Sequence, residues 1–133
     1  MIENPLQMIG LYIAINLLLN LVLAYRVSAG RVRTSLMTGT GDDADPLYKA
    51  SRAHIVNVEY TPIGLIGLIA LFILSASVWV IHAAGIALTL GRLLHAIGLS
   101  RSTDTTPPRL WGTLLTWLGQ LIACLGCFYY VLA

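Results

Sequence analysis

Two charged side chains stand out because they occur at the edge of, and inside, a long apolar segment. Residues 52–62 read RAHIVNVEYTP and lead into an aliphatic run. Arg52 and Glu59 are seven positions apart, so on a helix they share a face about 10 Å apart along the axis. An ionisable residue in a membrane span is costly and usually faces the bundle interior, where it has a function. The alternative is a structural ion pair between Arg52 and Glu59.

A second group of polar side chains follows in residues 91–98, which read GRLLHAIG. Arg92 and His95 are spaced i and i+3, so they are neighbours on a helix face. Arg109 lies at the start of a later helix, where the macrodipole disfavours a cation and an anionic partner is favourable. The alternatives are that Arg92 extends to the membrane surface and that Arg109 anchors the interface beside Trp111.

The elements that must position these residues are membrane-spanning helices. Hydrophobic residues make up 57% of the 133-residue chain and charged residues 11%, whereas roughly 25% are charged in an ordinary soluble domain. A spanning helix needs about 20 predominantly apolar residues. Four segments qualify, at about residues 6–25, 46–77, 78–99 and 108–133. We therefore predict an all-α, four-helix, up-down transmembrane bundle, formed by residues 1–133 as a single domain.

The connections predict the orientation of this bundle. Residues 28–45 are predicted to form a long polar loop, residues 75–77 a tight turn, and residues 100–107 a polar connection. All eight Lys and Arg residues flank the first and third connections. The positive-inside rule predicts that these connections are cytoplasmic and that both termini face outward. Residues 1–5 contain no Lys or Arg, so the first segment is predicted to be retained and not cleaved as a signal peptide.

The other reactive side chains are interpreted structurally. Cys124 and Cys127 have redox spacing but lie in an apolar helix, where cysteines commonly serve as small apolar side chains. His82 stands alone near the outer end of the third helix and is expected at the interface. His54 and His95 lack a third ligand at suitable spacing, so no metal site is predicted. Nothing resembles a nucleic-acid-binding surface, so no nucleic-acid partner is expected.

The two motifs resemble those of the MAPEG family, the membrane-associated proteins of eicosanoid and glutathione metabolism. The resemblance rests on RAH and EYxP within residues 52–62 and on GRxxHAxG at residues 91–98, together with the four spans and the short second connection. The resemblance covers nearly the whole chain. In size, the chain is similar to bacterial members of the family. The resemblance implies a homotrimer in a bacterial inner membrane that binds glutathione between adjacent subunits, near the cytoplasmic side.

The resemblance also implies roles for matching residues of the second helix. Arg52 would contact a glutathione carboxylate, Glu59 would bind the α-amino group, and Tyr60 would add a hydrogen bond. The chemistry is consistent, because glutathione carries two carboxylates and one ammonium group, and the guanidinium fork suits carboxylates. The family asparagine lies four residues after the arginine, whereas Asn57 lies five residues after Arg52. Asn57 is the expected counterpart, rotated by about 100°.

Further roles fall on the other helices. Arg92 and His95 would line the same cavity, and Arg26 would supply a basic contact from the first helix. Arg109 would hold the glutathione sulfur as thiolate, although its spacing matches the family only with a gap. The tyrosine that several animal members carry four residues after His95 is Leu99 here.

The predicted function is glutathione binding, with attack of an Arg-stabilised thiolate on a lipophilic substrate, as in a glutathione S-transferase or a glutathione-dependent peroxidase. Membrane lipid is the expected surrounding partner. Arg109 favours the enzyme, whereas Val56 and Leu99 favour a non-catalytic lipid- or ligand-binding scaffold of the same fold. A third alternative is a structural or assembly protein of the inner membrane, which would not need Glu59 within a span.

Overall fold

The computed structural model describes residues 4–133, which form four long α-helices. These are α1 (Pro5–Thr34), α2 (Pro46–Ile73), α3 (Val78–Arg101) and α4 (Pro107–Leu132). Each helix is long and apolar enough to cross a membrane. The predicted all-α fold with four membrane-spanning helices is confirmed. Residues 1–3, part of the segment predicted to be retained, lie outside the described residues.

The helix starts follow from local chemistry. Pro5, Pro46 and Pro107 each occupy the first helical position, where a missing N–H costs nothing because that group has no intrahelical partner. At α1, the Asn4 side chain also accepts a hydrogen bond from the Leu6 N–H at 2.9 Å. These prolines mark where three of the four helices begin.

The end of α1 differs from the sequence prediction. The polar loop was expected to begin at residue 28, but α1 continues to Thr34 and ends at Ser35, which has a left-handed conformation. Residues 26–34 include arginine and alanine, which are good helix formers. These residues are polar because the helix has left the apolar layer of the membrane, and the helix itself continues. Gly30 lets this extension pack on α2, since a Cβ there would lie 3.0 Å from Leu47 Cδ1.

Helices α3 and α4 pack with their backbones in contact. A Cβ at Gly91 would lie 2.5 Å from the Thr116 backbone N, and one at Gly119 would lie 2.7 Å from the Leu88 backbone N. Small residues permit this close approach, which is typical of helix pairs in membranes. Among the described residues α1 packs on α2 and α3 but not on α4. The α3–α4 pair is therefore the most closely packed pair of helices in the bundle.

Polar contacts attach α1 to α3. The Asn16 side-chain amide donates to Thr89 Oγ1 at 2.9 Å and to the Tyr12 carbonyl at 2.9 Å. Closer to the other end of the bundle, the Tyr12 hydroxyl and His82 Nδ1 are 2.7 Å apart. His82 was expected to stand alone at the interface, but it is half-buried and bonded to α1. These bonds join α1 to α3 beside the apolar core that Ile9 and Tyr12 share with Ile81 and Leu88.

Candidate functional site

A cavity of about 240 Å³ opens between α2, α3 and α4. Most of the site residues predicted from the sequence line it: Arg52, Glu59, Tyr60, Arg92, His95 and Arg109. The rest of the wall is formed by Val56, Thr113, Thr116 and Trp117. The fold thus collects charges from three separate sequence segments around one space.

Helix α2 contributes one face to the cavity. Arg52, Val56, Glu59 and Tyr60 follow the i, i+4, i+7, i+8 spacing of a single helical stripe. Arg52 and Glu59 are both exposed in the single chain. Glu59 lies about 20 Å along the axis from the start of α2, well within a span. A carboxylate at that depth requires polar contacts that lipid does not offer.

Arg92 is the most deeply buried charged residue lining the cavity, with 2% of its surface exposed. Its Nη1 donates to the Val56 carbonyl oxygen at 3.2 Å, and its carbon Cζ lies 5.4 Å from the centre of the Tyr60 ring. Its buried Nε has no hydrogen-bond partner among residues 4–133. A guanidinium has five N–H donors, and a buried donor left unsatisfied costs about 1–3 kcal/mol. This group is suited to receive an anion in the cavity.

His95 lies one turn after Arg92 and is also buried. Its backbone rests against Gly112 of α4, where any Cβ would overlap the His95 backbone N. On the facing helix, the Thr116 hydroxyl donates to the Gly112 carbonyl at 2.7 Å. The close α3–α4 contact therefore positions the His95 backbone relative to the α4 wall of the cavity.

Arg109 lies in the first turn of α4, at the edge of the cavity. Its Nη1 donates to the Thr103 carbonyl and, at 3.3 Å, to the Asp104 carbonyl. A Cβ at Gly98 would lie 2.6 Å from the Arg109 backbone N, so this residue is pressed against the end of α3. Arg109 therefore reaches the cavity from the first turn of α4.

Arg26 and Asn57 do not line this cavity within the single chain, and their contact with glutathione stays a prediction. Asn57 is buried and faces α1, with its amide 3.5 Å from Asn20 Oδ1 and its oxygen accepting from the Thr61 hydroxyl at 3.1 Å. The shift of one position rotates Asn57 off the cavity face and puts Val56 there. Arg26 lies on α1, which does not reach α4 in the described chain.

Sequence reasoning missed the α4 wall beyond Arg109. Thr113, Thr116 and Trp117 repeat the i, i+4, i+7, i+8 spacing from Arg109. One turn further, Gln120 Nε2 donates to the Tyr60 carbonyl at 3.1 Å and joins α4 to α2. The 3.6-residue helical period could have predicted these residues. Once Arg109 is placed at the site, Thr113, Thr116 and Trp117 lie on the same face of α4.

Cysteines and metal ligands do not extend this site. Cys124 is exposed and Cys127 half-buried on α4, beside a separate cavity of about 160 Å³. Within residues 4–133 no group of three His, Cys, Asp or Glu side chains could hold a metal ion. The charged cavity itself is lined by guanidinium, carboxylate, imidazole and hydroxyl groups.

The fold and the cavity together define a small polytopic membrane protein with a charged site inside its helical bundle. The model of the MAPEG family matches residues 9–129, and the chain belongs to this family, as the sequence motifs indicated. It is thus a membrane protein of the glutathione and eicosanoid family. The chain is similar to the inner membrane protein YecN of Escherichia coli strain K12, with 29% identity over 122 residues, covering 92% of this chain and 91% of the relative. YecN of Escherichia coli O6:H1 strain CFT073 gives the same figures.

Proposed function

We propose that the protein binds glutathione in the α2–α3–α4 cavity and uses its thiolate against a lipophilic substrate, as an S-transferase or a peroxidase. The observation that carries this proposal is the set of charges around one cavity. Three guanidinium groups, from Arg52, Arg92 and Arg109, share it with the Glu59 carboxylate. Glutathione carries two carboxylates, one ammonium group and one thiol, and its charges complement this set.

Each charged group of the tripeptide has a counterpart on the wall. Arg92 is buried with an unpartnered Nε, so a carboxylate of the ligand would replace a missing acceptor. On α2, Arg52 lies at the end of the stripe away from Glu59 and Tyr60, and it would bind the second carboxylate of glutathione. Glu59 would hold the α-amino group, and Tyr60 would add a hydrogen bond beside Arg92. His95 would line the wall between the arginines.

The chemical step requires a thiolate. A free thiol has a pKa of about 8.5, and a guanidinium nearby favours the charged form. Arg109 is held by two loop carbonyls at the cavity edge and would keep the sulfur ionised there. In the transferase reaction the thiolate forms a C–S bond with an electrophile and expels its leaving group. In the peroxidase reaction two glutathione molecules reduce a lipid hydroperoxide to an alcohol and water, forming glutathione disulfide.

The exposed position of Glu59 supports assembly of several subunits. On a single subunit this carboxylate is exposed at a depth where lipid would otherwise surround it. A homotrimer, as the family resemblance implied, would cover it and complete the site between subunits. The similarity to YecN, an inner membrane protein, supports a bacterial inner membrane location. The basic residues beside the α1–α2 and α3–α4 connections support a cytoplasmic position for both connections.

A non-catalytic ligand-binding scaffold is the second candidate. Val56 presents an aliphatic side chain to the cavity where the family asparagine is expected, while Asn57 faces α1. Leu99, at the position of the animal tyrosine, is 3% exposed and packs in an apolar cluster with Leu23 and Ala53. Such a protein would bind glutathione or a lipid without converting it.

Calorimetric titration of the detergent-purified protein with glutathione tests the proposal. We expect saturable binding that Arg52→Ala and Glu59→Gln each weaken by about 1 kcal/mol or more. Arg101→Ala is the matched control, because Arg101 is exposed at the end of α3 and does not line the cavity. Absence of binding at several millimolar glutathione, with the oligomer intact, would contradict the proposal.

A conjugation assay with a generic electrophile then separates the two candidates. If the protein is an enzyme, we expect the wild type to convert the electrophile. Arg109→Ala should abolish this turnover while glutathione still binds. Binding without turnover in the wild type would favour the scaffold.

A further inference from the structure

Gln120 on α4 lies at the boundary between two cavities of the bundle. Its side chain is half-buried and lines the apolar cavity of about 160 Å³ together with Ile63 and Gly67. Its Nε2 donates at 3.1 Å to the carbonyl oxygen of Tyr60, which lines the charged cavity. Within residues 4–133 this is the side-chain hydrogen bond that joins α2 to α4. The bond therefore lies where the charged cavity meets the apolar one.

A proline interrupts the hydrogen-bond ladder of α2 close to this bond. Pro62 lies inside α2, two residues after Tyr60. Proline has no N–H, so the Val58 carbonyl loses its partner four residues further on, and the proline ring presses against that carbonyl. Sharp bends in helices occur most often at such positions. The direction of α2 at the turn that carries Tyr60 therefore depends on contacts with neighbouring helices.

Two side chains from neighbouring helices hold this turn of α2 by its backbone. Arg92 Nη1 of α3 donates to the Val56 carbonyl at 3.2 Å. One turn further along α2, about 6 Å along the axis, the Tyr60 carbonyl accepts the bond from Gln120 of α4. Glu59 lies between Val56 and Tyr60 in the sequence and lines the charged cavity. The backbone that carries the Glu59 carboxylate is thus held from α3 and from α4.

We propose that Gln120 is a positioning residue that makes the charged cavity selective for ligands with an α-amino group. This inference rests on the proposed function, in which Glu59 holds the ammonium group of glutathione. Arg92 would bind a ligand carboxylate, so its guanidinium is shared between the ligand and α2. The Gln120 bond is made to the α2 backbone, so it holds Glu59 in place while the ligand is bound. An interhelical hydrogen bond contributes modestly to the stability of a membrane bundle, so Gln120 variants should fold and show their effect at the site.

Calorimetric titration of the detergent-purified oligomer with two ligands tests this role. The ligands are glutathione and glutaryl-cysteinylglycine, which lacks the α-amino group. Gln120→Met keeps the length of the side chain and removes the hydrogen-bond donor. We expect it to bind glutathione about fivefold more weakly than the wild type and to bind the analogue within about twofold. Gln120→Asn keeps the amide but is one methylene shorter, so it should lose the contact with Tyr60 and give the same pattern.

Asn16→Leu is the matched control, because it also removes an amide that joins two helices. The Asn16 amide donates to Thr89 Oγ1 at 2.9 Å and joins α1 to α3, outside the charged cavity. We expect this variant to bind both ligands with the affinities of the wild type. The control thus separates loosening of the bundle from displacement of Glu59.

Several results would overturn the proposal. Equal losses for the two ligands in both Gln120 variants, or an unchanged preference for glutathione, would reduce Gln120 to a structural contact. The same loss of preference in Asn16→Leu would show that general loosening of the bundle is responsible. If the wild type bound both ligands equally, Glu59 would not hold the ammonium group and Gln120 would have nothing to position. Absence of glutathione binding by the wild type would instead overturn the proposed function itself, so the two failures are distinguishable.

Discussion

Substitution of Gly112 by alanine should both destabilise the bundle and weaken ligand binding. A Cβ at Gly112 would overlap the His95 backbone N, and it would lie 2.7 Å from His95 Cα and 2.8 Å from the Gly91 carbonyl oxygen. These are backbone atoms of α3, so no side chain can rotate away to make room. The α3 and α4 helices would have to separate, and His95 would move relative to the α4 wall.

The magnitude follows from two opposing effects. Overpacking a tightly packed contact costs about 1–3 kcal/mol, whereas replacing glycine by alanine within a helix stabilises it by about 0.5–1 kcal/mol. From the middle of each range we expect a net loss of about 1 kcal/mol for Gly112→Ala. Gly10 on α1 is the matched control, because a Cβ there would meet nothing within 4 Å. Gly10→Ala should be neutral or slightly stabilising.

Equilibrium unfolding in detergent measures the free energy of unfolding of the wild type, Gly112→Ala and Gly10→Ala. Glutathione titration of the folded proteins measures the affinity of the cavity for the ligand. Gly112→Ala should be the least stable and should bind glutathione more weakly than Gly10→Ala. If Gly112→Ala were as stable as the control and bound glutathione equally well, the close α3–α4 contact would not position the site, and this reasoning would be refuted.

Further substitutions test other parts of the account. Arg92→Lys should weaken glutathione binding by about 1.5–3 kcal/mol in calorimetry, because one ammonium cannot replace the buried guanidinium; unchanged affinity would remove Arg92 from the site. Asn57→Leu should cost about 1 kcal/mol of stability through its lost bonds to Asn20 and Thr61, yet leave glutathione affinity within about twofold; a larger loss would place Asn57 at the ligand. Tyr12→Phe should reduce the free energy of unfolding by about 1 kcal/mol and leave glutathione affinity unchanged. Any change in that affinity would contradict a purely structural contact between Tyr12 and His82.

The membrane-spanning helices could be predicted because hydropathy reports directly on the energy of inserting a helix into lipid. The end of α1 could not, since residues 26–34 leave the apolar layer without leaving the helix. Whether a polar segment continues a helix there depends on packing, here the contact of Gly30 with Leu47. The predicted loop was therefore too long at its N-terminal side.

The site was predictable where spacing within one helix decides the geometry. Arg52 and Glu59 on α2, and Arg92 and His95 on α3, share faces that the 3.6-residue period requires. The position of Arg109 could not be predicted from spacing within one helix. It depends on how the connection after α3 folds back, which gives the Arg109 side chain its carbonyl partners. Asn57 marks the limit of motif matching, since a shift of one position carries a side chain to another face and another set of contacts.

The most direct measurement of the central claim is a binding cycle between Glu59 and the α-amino group of glutathione. Glutathione and glutaryl-cysteinylglycine, which lacks that amino group, would be titrated against the wild type and Glu59→Gln. If Glu59 holds the ammonium, the substitution should weaken glutathione binding by about 1 kcal/mol or more and leave binding of the analogue nearly unchanged. Equal losses for both ligands would contradict this account of the cavity.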